Sequence, residues 1–261
     1  MTRFVLLALL AVLFVPAAPA RAAAPSRCIA YAEGAPAIVP ARAGAVSVDI
    51  EYVTHSTFRI TTPEGIVVAT DFAGYAGAGP APQVATMNHA HGTHYTDFPD
   101  PAIKHVLRGW NPAGGPAEHH LHVGDLLVRN VPTDIRSWEG LVERDGNSIF
   151  VFEVADLCIG HLGHLHHMPT DAQFARIGRL DIVFAAVDGG LTLDHPTMIA
   201  VLKKLRASLV VPMHYFGRDT LESFLAGMAA EFAIRVNEDA DIAMSLTALP
   251  RRPTVLVLPG Y

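Results

Sequence analysis

Short runs of apolar residues, most of them too short for a helix, recur along the earlier part of the chain. Those at 46–53, 58–61 and 66–71 are rich in strand-forming residues, and turn residues at 63–65 separate the second from the third. This pattern predicts an antiparallel meander at the start of the folded region. Further strands are predicted at 84–87, 126–131, 148–154 and 157–160.

Helical spacing becomes prominent only later, where it alternates with fully apolar strands. Such a mixture predicts an α/β fold in which two sheets pack face to face with helices outside, a four-layer αββα sandwich. The last segment, 251–261, fits an edge strand, a tail or a partner contact. The later predicted elements are helices at 171–177, 196–206 and 219–230 and strands at 182–187, 209–212, 232–236 and 242–246.

The first residues of the chain have the pattern of a secretory signal peptide. Arg3 precedes an apolar run at 4–15, and small residues follow at a suitable cleavage position, so we expect a signal peptide over 1–22. The run is shorter than the ~20 residues of a spanning helix, which disfavours an uncleaved membrane anchor. The expected product is exported, periplasmic or secreted, with an extended arm at 23–45 and one domain at 46–261.

The net charge indicates the class of binding partner, and the cysteine content indicates a possible disulfide. The formal net charge is −6 without a cluster of Lys and Arg, which argues against nucleic acid and favours a small-molecule substrate. The oligomeric state is not indicated. Cys28 and Cys158 are the only cysteines, and an oxidising compartment would permit a disulfide between them. A buried free thiol at Cys158 is an equally favoured alternative.

Three groups of histidines, each following a predicted strand, carry the candidate chemistry. His89 and His91 are two apart and project to the same side of an extended segment, and a turn can bring His94 beside them. The second group spans 161–167, where His164 is the leading candidate, and His214 ends a buried strand. Imidazole suits zinc, iron, copper or nickel, so these five histidines predict a metal centre.

Other histidines have a simpler interpretation. A single histidine such as His55, His105 or His195 is more often a hydrogen-bonded structural residue than a ligand. The histidines of 119–122 read as a solvated polar stretch, with a secondary metal contact as the alternative. Trp110 and Trp138 are candidates for a substrate mouth, against the alternative of packed surface aromatics.

The chain resembles the metallo-β-lactamase-fold hydrolases, and most of all their ascorbate-phosphate lactonase-like branch. Residues 54–58 and Asp71 resemble the opening hairpin, and 89–94 resembles the signature His-x-His-x-Asp-His. The segment 161–165 resembles the branch's His-Leu-Gly-Asp-Leu, and 211–215 resembles its final ligand segment. The resemblance implies a hydrolase that binds one or two divalent ions.

Departures from this pattern change the expected metal content. Thr93 stands where the family has an aspartate, His164 stands where it has the bridging aspartate, and Asp134 is the only substitute for a further ligand histidine. Imidazole replaces a bridging anion poorly. We therefore predict one tightly held ion, Zn²⁺ first and Mn²⁺ or Fe²⁺ as alternatives, on His89, His91 and His164, with His94 and His214 completing that site or forming a weaker second one.

The predicted activity is hydrolysis of an ester-like bond, such as a lactone or a phosphodiester, by metal-activated water. Asp134 and His167 are the candidates to take up the proton, because Thr93 cannot act as a base. Two other functions are compatible with the residues. One is a non-catalytic metal- or ligand-binding protein, and the other is redox chemistry at a histidine-bound iron.

Overall fold

The computed structural model describes residues 25–29, 46–137 and 139–260. The predicted signal peptide, most of the predicted arm and Trp138 lie outside the described residues. Among the described helices, none combines the length and the apolar composition needed to cross a membrane.

Two mixed sheets form the centre of the fold. The six-stranded sheet has the order β13-β1-β2-β3-β4-β5 and is antiparallel except where β3, β4 and β5 run parallel. Its strands are β1 (Val48–Thr54), β2 (Thr57–Thr61), β3 (Val67–Ala69), β4 (Val84–Met87), β5 (His105–Arg108) and β13 (Asp241–Met244).

The eight-stranded sheet has the order β12-β14-β11-β10-β9-β8-β7-β6. Strands from β9 to β12 in this order run parallel, whereas β6, β7, β8 and β9 pair antiparallel. Its strands are β6 (His120–Val123), β7 (Leu126–Arg136), β8 (Val142–Val154), β9 (Leu157–His161), β10 (Ile182–Ala186), β11 (Leu209–Met213), β12 (Ala233–Val236) and β14 (Thr254–Val257).

Three helices cover the outer face of the eight-stranded sheet: α1 (Asp171–Ile177), α2 (His195–Leu205) and α3 (Arg218–Met228). The start of α1 is fixed by a capping box between Thr170 and Gln173. The start of α2 is fixed by Asp194, whose side chain accepts a hydrogen bond from the Thr197 amide. All three helices lie where the sequence predicts them, to within two residues.

Alternating side chains of β10 separate the two apolar layers. Phe184 points between the sheets and stacks on Phe58 of β2 with ring centroids 3.9 Å apart, whereas Val183 packs toward the helices. The predicted α/β fold with two sheets packed face to face is therefore confirmed, with the helices over the eight-stranded sheet. Among the described residues, the outer face of the six-stranded sheet packs against loop residues, including Phe72 and Ile103, in place of α-helices.

Several elements differ from the sequence prediction. The segment 251–261 contains β14, an interior strand between β11 and β12, and none of the three predicted roles. Histidines 120–122 lie in β6, an edge strand, and β5 was not predicted at all. The interior place of β14 depends on its pairing with β11 and β12, which the local sequence does not encode.

Cys28 and Cys158 form a disulfide, which settles the alternative left open by the sequence. The bond joins the described segment 25–29 to β9. The same segment is held by Glu153, whose carboxylate accepts hydrogen bonds from the Ser26 hydroxyl and the Arg27 amide.

Candidate metal centre

Imidazoles from four separate segments, each of which follows a β-strand, lie close together. Ring centroids are 4.7 Å apart for His94 and His164, 5.0 Å for His94 and His214, and 5.3 Å for His89 and His164. His91 lies 5.9 Å from His94. The five histidines predicted as ligands are thus neighbours in space. The cluster comprises His55 in the β1–β2 turn, His89, His91 and His94 after β4, His164 and His166 after β9, and His214 after β11.

Two buried carboxylates orient two of these rings. Nδ1 of His94 lies 2.5 Å from Asp71, and Nδ1 of His214 lies 3.0 Å from Asp188. An ionised carboxylate only accepts hydrogen bonds, so each imidazole carries its proton on Nδ1 and presents an unprotonated Nε2. This is the arrangement in which a histidine binds a metal while a carboxylate fixes its orientation.

The pKa values of both carboxyl groups are consistent with this role. Burial would raise the pKa of Asp71, but the electrostatic interaction and the hydrogen bond with His94 outweigh burial and hold that pKa far below its ordinary range. Burial would likewise raise the pKa of Asp188, which hydrogen bonds from His214 and Thr192 instead hold far below its ordinary range. Both groups are therefore anionic at neutral pH.

The two unprotonated nitrogens face each other. Nε2 of His94 lies 3.2 Å from Nε2 of His214, although 120 residues separate them. Two lone pairs at this distance repel each other unless a cation lies between them. Two nitrogens on a tetrahedral zinc ion, each about 2.1 Å from the metal, are about 3.4 Å apart. The pair therefore fits a divalent ion.

His55 completes a group of three around this pair. One ligand atom from each of His55, His94 and His214 lies within 4.8 Å of the other two. Nε2 of His55 is buried and has no hydrogen-bond partner among the described residues. Burial, reinforced by His214 and His94, lowers the pKa of His55 to about 4, so the ring is neutral at pH 7. The sequence alone favours a structural role for His55, because no second histidine lies near it in the chain.

His89 and His91 are oriented differently. Nδ1 of His89 donates to the Gly146 carbonyl at 2.8 Å, which leaves its Nε2 as the basic atom. Nδ1 of His91 lies 3.1 Å from the Thr93 hydroxyl. Thr93 thus occupies the place of the family's aspartate and contacts a neighbouring histidine from there.

His164 is engaged by its neighbour His166. The amide of Arg136 donates to Nδ1 of His166, so the proton of His166 lies on Nε2 and is donated to Nδ1 of His164 at 2.6 Å. In this arrangement His164 carries its own proton on Nε2. Burial, followed by the effects of His94 and His166, lowers the pKa of His164 to about 2, so the ring stays neutral. His164 is therefore a hydrogen-bond donor in this geometry.

His161, the last residue of β9, is buried and hydrogen-bonded at both ring nitrogens. Its Nε2 donates to the Ser56 carbonyl at 2.8 Å, and its Nδ1 accepts from the Gly163 amide at 3.1 Å. Asn88 lies against the same Nδ1 at 3.2 Å. Both ring nitrogens are thus used within the protein.

The two predicted proton acceptors lie on adjoining segments. Asp134 lies in β7, and its carboxylate accepts a hydrogen bond from the Asp145 amide at 3.0 Å across the β7–β8 hairpin. His167 follows His166, and its Nε2 is buried without a hydrogen-bond partner among the described residues. Their roles in proton transfer stay predictions.

Among the described residues, three of the seven non-glycine residues with positive φ lie at the centre. His55, Asp71 and His214 adopt the left-handed region, with φ of 46°, 47° and 56°. Such conformations cost about 1 to 3 kcal/mol each for residues other than glycine and persist where the surrounding structure imposes them. Here the His55 carbonyl is held by the Tyr52 hydroxyl at 2.7 Å and by the His214 amide at 2.9 Å.

A two-sheet sandwich with clustered imidazoles at its strand ends is the arrangement of metallo-β-lactamase-type proteins. The chain belongs to that superfamily: the family model described as "Beta-lactamase superfamily domain" matches residues 49–214, more than half of the chain. The comparison with curated proteins found no match.

Solved structures share the fold. One, from Thermotoga maritima, is assigned as a zinc-dependent hydrolase of the metallo-β-lactamase superfamily; it is 22% identical, with a TM-score of 0.62 over 82% of this chain and 100% of that chain. A metallo hydrolase from Ignicoccus hospitalis is 15% identical, with a TM-score of 0.53 over 82% and 97%. The diiron β-hydroxylase CmlA from Streptomyces venezuelae is 10% identical, with a TM-score of 0.51 over 78% and 55%. At these identities the likeness shows the fold.

Proposed function

We propose that this protein is a metal-dependent hydrolase that cleaves an ester-like bond, such as a lactone or a phosphodiester, in a small molecule. The observation that supports it most directly is the pair of facing Nε2 atoms of His94 and His214, 3.2 Å apart, with both Nδ1 atoms bound to buried carboxylates. His55 is the third proposed ligand. Three protein ligands and an open position are the arrangement of catalytic zinc sites.

A divalent ion bound there, Zn²⁺ by preference and Mn²⁺ or Fe²⁺ as alternatives, would lower the pKa of water toward ~7 and polarise the scissile group. His164 would donate its Nε2 proton in a hydrogen bond to negative charge that develops on the substrate. His166 and the Arg136 amide hold His164 in the tautomer that this requires. Asp134 and His167 remain the proposed acceptors of the water's proton.

Metal analysis and a substrate screen test the proposal together. The protein is stripped with a chelator, loaded with zinc, manganese or iron, and screened against generic esters, lactones and phosphodiesters. Replacing His94 and His214 together by Ala should abolish metal uptake and turnover. The matched control is His105→Ala, which removes an imidazole from β5. Turnover that survives in the double variant at the wild-type rate would refute the assignment.

A non-catalytic metal- or ligand-binding protein is the second candidate. It is favoured by the contact between Thr93 and His91, because a hydroxyl occupies the position of a carboxylate that helps to orient water in the family. Tight metal binding without turnover of any ester, lactone or phosphodiester would support it. Redox chemistry at a bound iron would instead show as colour and a visible absorption band.

We further propose that the protein is exported to the periplasm or secreted, without a stable membrane anchor, and acts on a small molecule with no nucleic-acid partner. The Cys28–Cys158 disulfide supports export, because disulfides persist in oxidising compartments. Membership of the ascorbate-phosphate lactonase-like branch stays part of this proposal. Fractionation of cells that express the full chain tests the location.

A further inference from the structure

Large apolar side chains are exposed beside the metal centre. Phe216 is 65% exposed, and its ring lies 5.3 Å from His214 and 5.6 Å from His55. An aromatic side chain in contact with two proposed ligands and largely open to solvent has no structural requirement to be apolar. Exposed apolar surface marks a binding site where it forms a patch, so the residues around Phe216 decide its role.

Leu191 is bound by the same carboxylate that holds His214, through the other carboxylate oxygen. Its amide donates to Asp188 at 2.6 Å, and Nδ1 of His214 donates to that carboxylate at 3.0 Å. The Leu191 side chain is 55% exposed. A second exposed apolar residue is therefore connected to the proposed ligand His214 through the carboxylate of Asp188.

Arg136, at the end of β7, connects the β7–β8 hairpin to the loop that contains Leu191. Its amide binds His166, and its guanidinium donates to the carbonyl groups of Gly190 and Thr192 at 3.1 and 2.8 Å. Val142, its cross-strand partner in the β7–β8 hairpin, is 58% exposed. Met168, 41% exposed, follows His166 by two residues. We call Val142, Met168, Leu191 and Phe216 the apolar rim.

We infer that the apolar rim binds an alkyl or aryl substituent of the substrate, so that the protein prefers esters or lactones that carry a hydrophobic group. This inference rests on the proposed hydrolase function. The occupant is argued to be the substrate because Phe216 contacts the ligand rings themselves, so a protein partner seated on the rim would cover the centre. Each methylene buried on binding contributes about a two- to fourfold gain in affinity.

Binding is measured without catalysis. Calorimetry on chelator-treated protein compares acetate, butyrate, hexanoate and octanoate. We expect affinity to rise with chain length, by at least about 10-fold from acetate to octanoate, which corresponds to burial of about two to four of the added methylenes. The double variant Phe216→Ser with Leu191→Ser should abolish this rise. The control Val236→Ser removes an apolar residue that is still more exposed, 74% on β12, and should keep the rise.

Hydrolysis is measured in parallel with 4-nitrophenyl acetate, butyrate and octanoate on the metal-loaded protein. A rise of kcat/KM with chain length that the double variant loses supports the inference. Hydrolysis without chain-length preference would overturn the inference that the apolar rim binds the substrate, and it would still support the proposed hydrolase function. Chain-length-dependent binding without hydrolysis of any ester overturns the hydrolase and leaves the rim as a binding site. Concentration-dependent dimerisation that the double variant abolishes would assign the rim to a second copy and overturn the inference.

Discussion

The carboxylate of Asp188 and the imidazole of His214 lie 3.0 Å apart and join the ends of two adjacent parallel strands, β10 and β11. The same carboxylate accepts hydrogen bonds from the amides of Gly190, Leu191 and Thr192. One side chain thus fixes both the loop and the tautomer of a proposed ligand.

Replacing Asp188 by Asn should weaken metal binding about 10- to 100-fold. If the new amide turns its nitrogen toward His214, two donors face each other, and the imidazole must move its proton to Nε2, the atom that would bind the ion. Metal affinity is measured by competition with a chromogenic chelator. Asp194→Asn is the control, since Asn serves equally well as the N-cap of α2. Equal affinities in both variants would contradict the proposed role of Asp188.

Replacing His55 by Ala should weaken metal binding by at least about 100-fold, because a ligand is worth more than a residue that only orients one. His105→Ala should leave it unchanged. Circular dichroism should show both variants folded. Retention of wild-type affinity in His55→Ala would mean that the third ligand is another residue of the cluster.

Restoring the family's two carboxylates should restore a second ion. The double variant Thr93→Asp with His164→Asp supplies a bridging anion between two cations, which neutral imidazole does not. We expect about one tightly held ion in the wild type and about two in the variant by elemental analysis of protein purified without added metal. Two ions in the wild type would contradict the prediction.

Removing the disulfide should lower stability without touching the centre. The bond closes a loop over a sequence separation of 130 residues, so Cys28→Ser with Cys158→Ser should cost about 3 to 5 kcal/mol of unfolding free energy. Urea unfolding measures the loss, and reduction of the wild type should reproduce it. An unchanged urea midpoint would show that the segment around Cys28 contributes no constraint.

Metal-free protein should lose stability as the pH falls from 8 to 5. The folded pKa of His164, about 2, lies below the ordinary value of 6.5, so the unfolded chain binds a proton more tightly in this window. The loss from His164 alone is about 2 kcal/mol at pH 5. His164→Gln should show a correspondingly smaller loss in urea unfolding. An equal loss in both proteins would contradict the neutral, buried state of His164.

The sequence predicts much of this structure because its signals are local. The start of α1 coincides with a local capping box, and His89, His91, His164 and His214 all follow apolar strands whose ends converge in an α/β sandwich. The capping box and the apolar runs each involve only residues that are neighbours in the sequence, so they can be recognised before the fold is known.

What the sequence does not reveal depends on distant neighbours. His55 stands alone in a turn, and only folding brings His94 and His214 to it. The proton on His164 is placed by His166 and the Arg136 amide, a backbone donor without a side-chain signature. The loss of family carboxylates indicated a changed centre, but the number of competing imidazoles left the choice of ligands to geometry.

The position of β14 imposes an order on assembly. It is synthesised after β12 yet lies between β12 and β11. Because β12 pairs only with β14 among the described strands, β12 can join the sheet only after β14 has paired with β11. A chain released before Thr254 would leave the edge of β11, the strand that His214 follows, open to pairing with other molecules. Solubility of this protein is therefore expected to depend on a four-residue strand far in sequence from every histidine of the centre.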